Sequence, residues 1–208
     1  MTHQLPHYFE VGIFLDELDL PFDDALRTAK EIGAESVWFA YPLSKGEKPI
    51  AEMSDCEVSE MADRVAYHGL RLLVISAGMP FKLVDLDKID LHRMETNTLF
   101  KKEFDDLVRS MEIAAALEVN AVNAFSFGWP GEYAHDKPTW PMRWLTRGGV
   151  ASSQDMEKLI KAYSLVLEQA EKYNVDVVVN MMPWNYTNTT GNFLRLAERL
   201  DSERIKVM

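Results

Sequence analysis

The chain has 208 residues, 47% of them hydrophobic and 26% charged, which is enough for one substantial core and carries no disordered bias. Its 33 acidic residues against 22 basic ones give a formal net charge of -11, so the mean field repels phosphate backbones and anionic membranes. Nucleic acid and membrane surfaces are therefore not expected as partners. The one adjacent basic pair, Lys101-Lys102, reads as the start of a solvated helix.

Residues 11–15 form a short apolar run of strand length, and residues 21–33 follow with proline at the start and glycine at the end, a strand then a helix. Residues 36–41 make a second strand. Residues 58–68 make a helix, with Met61, Val65 and His68 at helical spacing and Gly69 ending it. The third strand is 70–76. An insertion from 78 to about 98 leads to a helix over 100–117, on which Phe104, Leu107, Val108, Met111 and Ala115 share one face. The fourth strand, 121–127, is followed by an aromatic and glycine-rich connection over 128–150. A long amphipathic helix over 154–173 returns the chain to a fifth strand, 175–180. The polar segment 185–192 precedes a helix over 193–200, and 204–208 begins a sixth strand.

Strands apolar nearly throughout, separated by amphipathic helices, indicate a parallel sheet covered by helices in one domain spanning 1–208. Right-handed crossovers leave an open doubly wound sheet or a closed barrel. After the first strand stands Asp16-Glu17-Leu18-Asp19, not a Gly-x-Gly-x-x-Gly turn, and no phosphate-cradling glycine loop occurs elsewhere. A (β/α) barrel is favoured. Eight units close a barrel at about 250 residues, so the chain is expected to be incomplete, ending within strand six. The first and sixth strands would then expose unpaired edges, and self-association is expected.

The single cysteine, Cys56, excludes an intrachain disulfide and suits a reducing, cytoplasmic compartment. It has no histidine beside it and no electropositive setting, which argues against a nucleophilic role. Two Asn-x-Thr sequons begin at Asn185 and Asn188, but the first residues lack the apolar centre of a signal peptide, so both read as chance. No apolar stretch approaches the roughly 20 residues that span a bilayer.

In barrels of this kind chemistry sits at the C-terminal ends of the strands. At those ends lie Phe14, Asp16 and Glu17 after the first strand, and Asn180 at the tip of the fifth in Asp176-Val177-Val178-Val179-Asn180. Phe125, Phe127, Trp129, Tyr133, Trp140, Trp144, Trp184 and Tyr186 gather by sequence near the exits of strands four and five. Aromatic faces suit the apolar faces of sugar rings; the plainer reading is packing by a long insertion. Phe14, Asp16, Trp129, Asn180 and Trp184 are the candidate ligand contacts. Glu132 is the candidate acid or base, against the plainer reading that it is solvated, and His135-Asp136 resembles a metal or proton-relay pair, against the plainer reading that adjacent loop side chains point apart. His68 sits where a helix end favours a positive side chain and needs no catalytic role.

The order and spacing of Val11-Gly12-Ile13-Phe14, of Phe22-Asp23-Asp24-Ala25-Leu26 leading to Ala29, Ile32, Gly33 and Ala34, of Ala170-Glu171-Lys172-Tyr173-Asn174-Val175 and of Asn188-Thr189-Thr190-Gly191-Asn192-Phe193 resemble the xylose-isomerase-like TIM barrel superfamily of sugar phosphate isomerases and epimerases. The resemblance covers essentially the whole chain. It implies proton transfer beside a carbonyl of a small polyol or keto-sugar, and a divalent metal (manganese, magnesium or cobalt) held at the tips of strands five to eight in a complete member. The first of those ligands is normally a glutamate, and here Asn180 stands in its place. A neutral amide oxygen is a poorer ligand for a hard dication than a carboxylate. The expectation is therefore no metal or other cofactor in this 208-residue form, which would be inactive by itself. The alternative is a degenerate barrel that binds a small molecule or a protein partner without turnover.

Overall fold

The computed structural model describes residues 12–42, 48–78, 80–81, 84–128 and 149–208. Six strands, β1 (Gly12–Phe14), β2 (Ser36–Phe39), β3 (Arg71–Ser76), β4 (Ala121–Phe125), β5 (Asp176–Asn180) and β6 (Ile205–Val207), form one sheet in which every adjacent pair is parallel. The spatial order is β1-β2-β3-β4-β5-β6. A doubly wound sheet reverses its strand order at a switch point, whereas a barrel adds each new strand on the same side of the last. The unreversed order is that of a TIM-type barrel, and it is open, because β1 and β6 do not pair.

Among the described residues five helices connect the strands: α1 (Phe22–Glu31), α2 (Asp55–Tyr67), α3 (Thr98–Ala116), α4 (Ser153–Tyr173) and α5 (Thr190–Leu200). Four of them start on a side-chain cap. Ser54 and Glu57 form a reciprocal capping box for α2, while Asn97, Ser152 and Thr189 accept from Phe100 N, Asp155 N and Asn192 N at the heads of α3, α4 and α5. These caps place the helix starts a few residues earlier than apolar periodicity alone does, at 55, 98, 153 and 190. His68 is the C-cap of α2. Lys101 and Lys102 pair with Asp105 and Asp106 one turn along α3, a solvated face.

The two faces of the sheet differ. Val37, Phe39, Ile75, Val122, Ala124, Val177 and Val179 point to the helices and are at most 1% exposed. On the opposite, concave face Phe14, Trp38 and Val178 are only half-buried. Gly12 lies on this concave face because a Cβ there would stand 2.5 Å from Leu73 Cδ2. Leu73 is the extra residue of a bulge where β3 runs past β2 between Val37 and Trp38.

Between β3 and α3 the chain buries Phe81, Val84, Leu86, Ile89 and Met94 under the helices. Phe81 holds a left-handed φ of 67° and stacks on Phe127 at 4.9 Å and Phe100 at 5.3 Å. The Glu103 carboxylate receives its backbone N–H at 3.1 Å, which fixes this uncommon conformation. Tyr163 of α4 closes the same aromatic cluster.

Candidate functional site

The C-terminal ends of the strands carry two groups of side chains on the concave face. The first is an aromatic platform: Phe14 of β1 stacks on Trp38 of β2 with ring centroids 4.0 Å apart and planes at 21°. Just beyond it Asp16, in a 3-10 turn over Leu15–Leu18, accepts from Ala40 N at 2.9 Å and ties the end of β1 to the end of β2. The Tyr41 hydroxyl lies 3.5 Å from the point where a Cβ on Gly78 would stand, so it reaches across from β2 to the turn after β3. Burial, followed by the charges of Asp16, Glu103 and Glu52, pushes the Tyr41 phenol above its usual range.

The second group is a polar relay across three strands. Asn180 Nδ2 donates to Asn123 Oδ1 at 2.8 Å, and Asn123 Nδ2 donates to Ser76 Oγ at 3.2 Å. Ser76 Oγ in turn exchanges hydrogen bonds with Gly78, donating to its carbonyl at 3.1 Å and accepting from its N–H at 3.3 Å. Gly78 permits this turn with a φ of 96°. Ser76 and Asn123 are 1% exposed and Asn180 9%, so the relay runs from the interior outward and meets solvent at Asn180.

The loop after β5 is locked on its other side. The Asn180 carbonyl accepts from Asn185 Nδ2 at 2.9 Å and from Thr187 Oγ1 at 3.4 Å. Thr187 N donates to Ser126 Oγ at 2.9 Å, and Gly128 and Asn185 form an antiparallel bridge. These bonds hold the β5 tip rigid on β4. They also bury Asn185 completely, while Asn188 Oδ1 accepts from Asn192 Nδ2, so both sequon side chains serve the fold.

The candidates named from sequence are distributed as follows. Phe14, Asp16 and Asn180 stand at the strand ends as expected. Trp184 is 7% exposed with one face on Phe125 at 5.5 Å, and Phe127 and Tyr186 are 0% and 1% exposed and belong to the packing. Trp129, Glu132, Tyr133, His135, Asp136, Trp140 and Trp144 lie outside the described residues. Sequence reasoning missed Trp38, Tyr41, Ser76 and Asn123. The available signal was polar Ser76 and Asn123 inside otherwise apolar strands. Cys56 is exposed on α2, where Glu60 pushes its thiol upward, away from nucleophile chemistry.

The donor set at the β5 tip does not fit a hard dication. Its side chains are two amides and a hydroxyl, and the Asn180 NH2 group is committed to Asn123. Among the described residues no three His, Cys, Asp or Glu side chains cluster as metal ligands.

The fold and the position of the site define an α/β protein of TIM-barrel type with its polar groups at the C-terminal strand ends. Residues 26–208 match the model of the xylose isomerase-like TIM barrel family, and the chain belongs to that family. No curated protein matches the chain significantly. Among solved structures it is similar to a xylose isomerase-like TIM barrel protein from Mycobacterium smegmatis in complex with magnesium, at 17% identity and a TM-score of 0.67, covering 97% of this chain and 64% of that one. D-psicose 3-epimerase with D-tagatose from Clostridium cellulolyticum H10 is similar at 16% identity and a TM-score of 0.66, over 96% and 63% of the two chains. The 3-keto-D-glucoside 4-epimerase of E. coli gives 13% identity and a TM-score of 0.65, over 96% and 67%. At these identities the likeness is one of fold, and the chain spans less than two thirds of the first two structures.

Proposed function

We propose that the concave rim binds a small polyol or keto-sugar and that the protein is of the sugar isomerase or epimerase kind, moving a proton beside a carbonyl. The observation that carries this reading is the pairing of the Phe14–Trp38 platform with the relay that ends at Asn180. A sugar offers an apolar C–H face and a polar hydroxyl edge, and the rim offers a partner for each. Phe14, Trp129 and Trp184 are the proposed ring contacts, Asp16 and Asn180 the proposed hydroxyl contacts, and Glu132 the proposed acid or base. The fold shared with sugar epimerases supports the reaction class.

A non-catalytic binding role is the second reading. It is favoured by Asn180, because an amide neither removes a proton nor supplies charge. Incubation with D-fructose or D-tagatose, with and without added manganese, separates the two. Formation of an epimer, followed by NMR of the sugar carbons, supports turnover. Saturable binding of the same sugars without epimer formation supports the second reading, and absence of binding defeats both.

A further inference from the structure

The hydrogen-bond relay has a direction, and the direction is set at its buried end. The Ser76 hydroxyl has one hydrogen, which is committed to the Gly78 carbonyl, an acceptor that cannot reverse. Ser76 Oγ therefore only accepts from Asn123, which turns the Asn123 NH2 group toward Ser76 and its carbonyl toward Asn180. That carbonyl in turn requires the NH2 group of Asn180. Asn180 Oδ1 is left facing away from the relay, and no described residue donates to it.

We propose that Ser76 and Asn123 are positioning residues that present Asn180 as a hydrogen-bond acceptor, so that the rim selects an uncharged hydroxyl ligand over a phosphorylated one. The inference rests on the reading of the rim as a carbohydrate site and names its ligand class. A hydroxyl donates to Asn180 Oδ1, whereas a phosphate dianion presents acceptors only and meets lone pairs.

Replacing Ser76 by alanine removes the anchor. The relay then reverses, because an Asn123 carbonyl facing Ala is cheaper than an NH2 group without an acceptor, and Asn180 then offers its NH2 group to the ligand. The test measures D-fructose, D-tagatose and D-fructose 6-phosphate binding by calorimetry for the wild type, Ser76→Ala and Ser76→Thr. The wild type is expected to favour the neutral sugars by at least about tenfold, the worth of one hydrogen bond. Ser76→Ala should narrow that ratio about tenfold, and Ser76→Thr, which keeps the hydroxyl, should restore it. A wild type that binds the phosphorylated sugar as tightly as the free one, or a ratio unmoved in Ser76→Ala, overturns the directed relay and leaves the carbohydrate reading standing. Binding of none of the three sugars overturns both. Should Ser76→Ala not fold, the wild-type ratio decides alone.

Discussion

The relay makes a quantitative claim about stability that needs no ligand. In Ser76→Ala the relay reverses and leaves the buried Asn123 carbonyl facing alanine without a donor, a cost of about 1 kcal/mol, and the exchange with Gly78 is lost as well, a further cost of about 1 kcal/mol. In an Asn123→Ala background the first cost has already gone, and removing Ser76 forfeits only the Gly78 contacts. The Asn180 NH2 group is stranded equally in Asn123→Ala and in the double variant, so it cancels from the cycle. The expected coupling is therefore about 1 kcal/mol, within the usual range for members of one buried network. Urea denaturation of the four proteins, with matching m values, measures it directly. Additivity to within about 0.5 kcal/mol would mean that Ser76 and Asn123 do not interact and would refute the relay.

Three other outcomes are expected. The Tyr163 hydroxyl is fully buried with no hydrogen-bond partner among the described residues, so Tyr163→Phe should stabilise the protein by about 1 kcal/mol and raise Tm by roughly 2–4 °C in calorimetry; destabilisation would reveal a partner for the hydroxyl. Burial holds the Glu103 carboxyl above its usual range, so the folded state binds its proton more tightly than the unfolded chain does. The stability it contributes is complete below the ordinary glutamate range and declines as pH rises through the raised value. Urea melts from about pH 4 to about pH 7 should show wild type losing ground to Glu103→Gln, and a flat or opposite trend contradicts the assignment. Ser54→Ala removes the hydroxyl arm of the α2 capping box, leaving the residue-54 N–H on the Glu57 carboxylate, and should cost about 1 kcal/mol in the same melts, while an unchanged midpoint would show that the cap is idle.

Much of the architecture was legible because it follows from local periodicity. Apolar runs such as Val177-Val178-Val179 and one-sided helices such as α1, with Phe22, Ala25, Leu26 and Ala29 buried, carry their structure in their own spacing. The relay was not readable, because it depends on register. Ser76 pairs with Asn123, but Asn180 pairs with Phe125, two residues further along β4. Only the stagger of tilted strands brings the three polar groups into line. The burial of Phe127 and Tyr186 was hidden for a related reason: proximity to a strand end does not say which face a side chain takes, and the aromatic cluster around Phe81 and the bridge to Asn185 decide it.

The central claim is that the rim at Phe14, Trp38 and Asn180 is where a sugar sits. Nitrogen-15 NMR of the labelled protein during addition of D-tagatose tests it most directly, with the Trp38 indole and Asn180 side-chain amide signals assigned by substitution. Saturable shifts of both signals, larger than those on the outer faces of α1 and α2, are the expected result. Shifts confined to those helices, or none at saturating sugar, would contradict the account.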